Sequence, residues 1–152
     1  MSLDRNPEVV RWGTTHYVFV EKVGPFNETA SKSWKELHAL VPEIASKNKI
    51  EKYLTEYKVG KQAVYRAGLS VAEAPTDLPA NVRYEELPGG KYSRFIYVGP
   101  YTGLPVISGE VWSHVREKEI PVRDDFTLEY YLKDPGATPE GELVTEILIP
   151  MM

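Results

Sequence analysis

The chain has 152 residues, a length that suits one domain or two small halves sharing one core, and neither a metal nor a disulfide is needed to hold such a chain folded. It has no cysteine, which excludes a disulfide scaffold, zinc–thiolate sites and thiol catalysis. Its net charge of −4, with scattered lysines and arginines, lacks the basic footprint of a nucleic-acid binder. No apolar run approaches the roughly 20 residues that cross a bilayer and no apolar signal core opens the sequence, so the chain reads as cytoplasmic, with no membrane or direct nucleic-acid partner.

Residues 1–7 read as a tail. Residues 14–23, rich in β-branched and aromatic side chains, predict a strand that Gly24-Pro25 stops. Asn27 is placed to cap a helix whose apolar face is Ala30, Trp34, Leu37 and Val41, and Pro42 should end or kink it at about Val41. Residues 53–58 and 62–72 predict two further strands. Residues 73–81, with Pro75 and Pro79, form the only convincing linker. Beyond it, residues 82–87 and 91–98 flank Pro88-Gly89-Gly90, a hairpin signal, and a second Gly-Pro stop follows at Gly99-Pro100. Leu104, Ser108, Val111, Trp112 and Val115 give a second helical stripe, which Pro121 bounds.

Residues 126–133 then predict a strand with Phe126, Leu128, Tyr130 and Leu132 on its core face and Thr127, Glu129, Tyr131 and Lys133 on the other. A carboxylate beside a phenol can hold a cation, accept a proton or meet water. Asp134-Pro135-Gly136 reverses the chain toward a last strand over residues 142–150, in which Glu146 shares a face with Val144 and Leu148. The three histidines, His16, His38 and His114, show no metal-ligand spacing, and no phosphate loop or nucleophile elbow is present. Arg66 lies off the apolar face of its strand, as a solvated partner for a glutamate.

The two halves repeat. Val23-Gly24-Pro25-Phe26 matches Val98-Gly99-Pro100-Tyr101, each ahead of a helix with one tryptophan, and Tyr53-Leu54-Thr55-Glu56-Tyr57 falls against Phe126-Thr127-Leu128-Glu129-Tyr130. One helix cannot cover both faces of its strands, so the expected fold class is α+β: duplicated βαββ halves (residues 14–72 and 82–150) in a single domain over residues 1–152. The halves would form one antiparallel sheet with two helices packed on it and a ligand groove at the pseudo-two-fold seam.

These motifs, with Glu86-Leu-Pro-Gly-Gly-Lys-Tyr92 and Val144-Thr-Glu146-Ile-Leu-Ile149, resemble the GyrI-like small-molecule-binding domain, which also occurs as the effector domain of AraC-type and multidrug-responsive regulators. The resemblance covers nearly the whole chain. It implies that the antiparallel sheet is concave and that an amphipathic ligand lies between the helices in an aromatic groove with acidic side chains, matched here by Glu129 and Glu146. Tyr131 is the partner of Glu129, and Trp34, Trp112, Tyr57, Tyr92 and Tyr101 are candidate lining residues. The chain departs from the pattern in having no helix-turn-helix domain, a longer segment between Tyr101 and Trp112, and Leu128 where an aromatic is common.

The function this implies is a stand-alone effector-type domain binding a cationic small molecule, with no cofactor and no metal. Two alternatives stand beside it: a hydrolase opening strained electrophiles with Glu129 as general base and Tyr131 as proton donor, and an inhibitor or adaptor acting by contact with a protein partner. The sequence carries no signal of oligomeric state.

Overall fold

The computed structural model describes residues 2–152 as nine strands, each paired antiparallel, and two helices. The strands are β1 (Ser2–Leu3), β2 (Glu8–Trp12), β3 (Thr15–Val23), β4 (Ile50–Val59), β5 (Ala63–Val71), β6 (Arg83–Leu87), β7 (Gly90–Val98), β8 (Thr127–Tyr131) and β9 (Val144–Pro150); the helices are α1 (Phe26–Ala45) and α2 (Leu104–Glu117). The chain divides into two compact units, a central one (Gly13–Gly89) and a terminal one made of residues 2–12 and 90–152.

In the central unit the strands run β4-β5-β3-β6. Helix α1 lays Leu37 and Ile44, both fully buried, on the Val18, Val20, Ala67 and Leu69 face of that ladder. Truncating such a side chain to alanine costs about 2–5 kcal/mol, because the cavity left behind only partly collapses. In the terminal unit the order is β8-β9-β7, with β1 and β2 both on the far edge of β7. Helix α2 seats Ile107, Val111 and Val115 over Phe95, Tyr97, Ile147 and Ile149. The units therefore each contain one βαββ element, and the two Gly-Pro stops have the same backbone: Gly24 has φ 140° and Gly99 φ 153°, values that L side chains rarely adopt.

Four readings of the sequence are corrected. The tail contains β1, whose pairing with Val98 and Tyr97 two residues cannot signal by themselves. Strands β6 and β7 flank Pro88-Gly89-Gly90 but do not form a hairpin: β6 pairs with β3, and β7 pairs with β9, β1 and β2, so the chain leaves one unit for the other at that turn. Helix α1 does not end at Pro42 but runs through it to Ala45. Proline removes one backbone donor, and the carbonyl it frees belongs to His38, an exposed residue that water can satisfy. That helix also starts at Phe26, so Asn27 lies in its first turn and the Pro25 carbonyl accepts from the Glu28 and Thr29 amides at 2.9 and 3.0 Å.

Candidate functional site

Strand β8 presents its two faces to two different clusters. Leu128 and Tyr130 pack with Tyr92, Leu148, Val10 and Trp12. Thr127, Glu129 and Tyr131 alternate to the other face, the one under α2, where Tyr131 joins the cluster of Phe95, Tyr97, Val111 and Ile147. The face taken from the sequence as the core face is thus apolar, but the helix lies on the opposite one, with the glutamate.

Glu129 is 7% exposed. The Tyr131 hydroxyl donates to its Oε1 at 2.8 Å, and among the described residues no cationic side chain pairs with it. Burial pushes its carboxyl up to about 7, and the tyrosine hydrogen bond, which favours the ionised form, only partly opposes that rise. At neutral pH the group therefore exchanges a proton readily. It can gain a cation's field or take a proton from a water molecule.

The 3-10 turn Tyr101–Gly103 at the start of α2 sets Tyr101 against Tyr131, with ring centroids 5.1 Å apart at 58°. The Tyr101 hydroxyl donates to the Lys133 carbonyl at 3.4 Å, and burial, reinforced by the charge of Asp134, raises its pKa. Trp112, one helical segment on, is half-buried in the same cluster. The structure thus brings together three of the residues singled out in the sequence, Glu129, Tyr131 and Tyr101, and packs a fourth, Trp112, against the same apolar cluster as Tyr131.

Of the other four, Glu146 and Tyr92 lie on the opposite face of the strands that carry Glu129, and Trp34 and Tyr57 belong to the central unit. Glu146 pairs with Tyr130 across the β8–β9 ladder and so lies on the opposite face to Glu129, 3.7 Å from Arg94, which also holds Glu8 at 2.8 Å. Tyr92 is on that face too, edge-on to Trp12 at 6.2 Å and under the Arg123 guanidinium at 5.1 Å. In the central unit the Trp34 indole donates to the Tyr65 hydroxyl at 2.9 Å and to Thr55 Oγ1 at 3.2 Å, Thr55 and Tyr65 are themselves 3.2 Å apart, and Tyr57 packs edge-on to Phe26.

Two pairs of ladders, taken in turn, fix which positions of the units correspond. Val23 pairs with Val64 as Val98 pairs with Val144, so Tyr65 corresponds to Thr145; Tyr57 pairs with Tyr65 as Tyr131 pairs with Thr145, so Tyr57 corresponds to Tyr131 and Thr55 to Glu129. The repeat aligned from sequence, with Glu56 against Glu129, is therefore off by one residue. A slip of one moves every side chain to the other face. Glu56 is on the face away from α1, 3.0 Å from Arg66, which also holds Glu21 and Glu85 at 2.8 Å each and lies 4.4 Å over the Phe19 ring. Arg66, expected to be solvated, is a largely buried hub, and Glu56 is its structural partner. Sequence reasoning also missed Thr55, Tyr65 and Thr145; period-two alternation around Glu146 was the signal that put Thr145 on the helix face.

A surface depression of about 570 Å³ on α2, lined by Arg5, Val106, Glu110 and His114 among others, includes neither Glu129 nor Tyr131. It carries the exposed Arg5–Glu110 pair at 3.1 Å and is a solvated helix face. Among the described residues no group of three or more histidine, aspartate or glutamate side chains could hold a metal ion, and no helix is long and apolar enough to cross a membrane.

A model of the GyrI-like small molecule binding domain matches residues 5–152. Among solved structures, the chain is similar to the EcmrR C-terminal domain, with TM-score 0.79, 16% identity, and coverage of 100% of this chain and 99% of that one. Of the longer EcmrR chain in its complex with DNA it spans 57%. It is also similar to SAV2435 bound to tetraphenylphosphonium, with TM-score 0.70, 15% identity, and coverage of 97% and 94%. A hydrolase from Listeria innocua matches with TM-score 0.66, 13% identity, and coverage of 99% and 94%. No curated protein matches.

Proposed function

Because the chain belongs to the GyrI-like small-molecule-binding domain family, we propose that it binds an amphipathic cation at Glu129, with Tyr131, Tyr101 and Trp112 as the aromatic surroundings. The observation that carries this reading is the buried Glu129 carboxylate with no cationic side chain beside it. A buried charge is costly unless paired, and a ligand cation supplies the missing partner. Aromatic faces add cation–π attraction of about 0.5–2 kcal/mol. The likeness in fold to SAV2435, a protein bound to tetraphenylphosphonium, agrees in charge and in apolar bulk. Trp34 and Tyr57 are kept as secondary candidates, because the Trp34 N–H is already engaged by Thr55 and Tyr65. Glu146 and Tyr92, on the other face of the sheet, have no part in this site.

Binding is expected to be linked to protons. Below about pH 7 the cation must displace the proton on Glu129, so affinity should fall by up to tenfold for each further pH unit. Titration with tetraphenylphosphonium and tetraphenylborate, two ions of like shape and opposite charge, tests the reading through tryptophan fluorescence. Tighter binding of the anion would end it.

A second reading is favoured by the same pair of side chains. A carboxyl near pH 7 is matched to proton abstraction, and the adjacent phenol can donate. Glu129 would take a proton from water as its oxygen attacks a strained electrophile, while Tyr131 protonates the oxygen that leaves. In that case Glu129→Gln lowers turnover of an epoxide panel about 10²–10⁴-fold with little change in affinity for a neutral substrate. Loss of cation binding with no turnover to lose decides for the first reading.

A further inference from the structure

The Glu129 site and its counterpart in the central unit differ in what their polar atoms are bonded to. In the central unit three groups close on one another: the Trp34 N–H, Thr55 Oγ1 and the Tyr65 hydroxyl, all within 3.2 Å. The ladders put Glu129 where Thr55 stands and Thr145 where Tyr65 stands. Thr145 is 0% exposed, yet its Oγ1 has no hydrogen-bond partner among the described residues. Its register neighbours are Tyr131 on β8 and Tyr97 on β7, so it lies on the face of the site, whereas the orphaned nitrogens of Arg94 and Arg123 lie with Tyr92 on the opposite one. Glu129 uses Oε1 for Tyr131. A threonine hydroxyl left without a partner in a dry setting costs free energy, and native proteins keep few such groups without a reason.

Building on the reading of Glu129 as the cation site, we propose that Thr145 and Glu129 together recognise an N–H-bearing cation, so that the favoured ligand is a primary or secondary ammonium on an apolar body rather than a quaternary cation. Thr145 and Glu129 are diagonal neighbours across the β8–β9 ladder, with Glu129 opposite Ile147 and Thr145 opposite Tyr131. Diagonal positions are roughly 7–8 Å apart at the backbone, and both side chains extend from it on one face. One ammonium with two N–H···O bonds of about 2.8 Å at the tetrahedral angle holds its acceptors roughly 4.6 Å apart, a separation that two side chains leaning toward one another from diagonal positions can reach. A quaternary centre keeps the charge but presents no donor. Thr145 is then the residue that reads donors, and Glu129 the residue that reads charge.

The test compares N-methyl-1-naphthylmethylamine, which carries two N–H donors when protonated, with its N,N,N-trimethylammonium analogue at about pH 8, where Glu129 is ionised. The secondary ammonium should bind about tenfold more tightly to the native protein. Thr145→Val, which keeps shape and removes the hydroxyl, should abolish that preference by weakening the amine about tenfold while leaving the quaternary ligand within about twofold; Thr145→Ser should retain it. Without ligand, Thr145→Val should unfold at the same or a higher urea concentration, since it removes an unsatisfied group. Equal affinity for the two ligands overturns the inference and leaves the Glu129 reading standing, as does a loss of stability in Thr145→Val, which would mean that the hydroxyl is already satisfied. If neither cation binds, the Glu129 reading falls and takes this inference with it.

Discussion

The central and terminal units build the same βαββ element and finish it differently at one point. In the central unit a threonine, a tyrosine and a tryptophan N–H bond one another beneath α1. In the terminal unit the corresponding strand positions carry Glu129 and Thr145; among the described residues the carboxylate has only a tyrosine hydroxyl, the Thr145 hydroxyl has no partner, and the Trp112 indole donates no hydrogen bond. One copy of the repeat has spent its polar groups on its own stability. The other has kept them open, which is the arrangement expected where a ligand is to supply the missing partner.

The largest effect that would break this contrast is on Glu129 itself. Its folded-state pKa of about 7 lies above the ordinary 4.5, so the native state holds a proton that the unfolded chain has released. The stability contributed by this proton is fully present below about pH 4.5 and is lost as the pH rises through about 7, a change on the order of 3 kcal/mol. Glu129→Gln should remove that loss, so urea midpoints of variant and native protein should diverge in favour of the variant between about pH 4.5 and pH 8. Parallel pH profiles would mean that Glu129 is solvated like any strand carboxylate.

Next in size is the closed network. Thr55→Val leaves the Trp34 N–H with one acceptor and should cost about 1–2 kcal/mol, measured by urea unfolding, with no effect on cation affinity. Thr55→Val in the central unit and Thr145→Val in the terminal unit are thus expected to change stability in opposite directions or by clearly different amounts, although both delete one buried hydroxyl. Similar losses would erase the distinction between the units.

The smaller effects concern how the tyrosine is held. Tyr131→Phe removes the hydrogen bond that favours the ionised carboxyl, so the midpoint of Glu129 titration, followed by NMR of its side-chain carboxyl, should rise above that of the native protein. Tyr101→Leu, which takes away the ring packed at 5.1 Å on Tyr131, should raise it by less, and Tyr101→Phe should leave it unchanged. A Tyr101→Leu shift that persists in the Tyr131→Phe background would show that Tyr101 acts on Glu129 directly rather than by positioning Tyr131.

Much of this molecule is local, and the sequence by itself determined that much. Alternation marked β3, β4, β5 and β7, the apolar spacing around Trp34 and Trp112 marked both helices, and the two Gly-Pro stops marked a duplication whose glycines do share an unusual φ. The pairing of Glu129 with Tyr131 was also legible, because residues two apart on a strand share a face whatever the strand packs against.

What a side chain meets across strands was not legible. Strand β6 and the Pro88-Gly89-Gly90 turn look like half of a hairpin, yet β6 belongs beside β3, since turn chemistry permits a reversal without choosing the partner strand. The match of Glu56 to Glu129 rested on letters one residue out of step; the ladders assign Thr55 instead, and with that single step Glu56 becomes the buried partner of Arg66 while Glu129 is left without a cation. Glu146, alike in composition and in neighbourhood, was separated from Glu129 by the same parity. Register is a property of two strands at once, and a period of two turns an error of one residue into the opposite face, so only the tertiary structure could decide which carboxylate and which hydroxyl stand open beneath the helix.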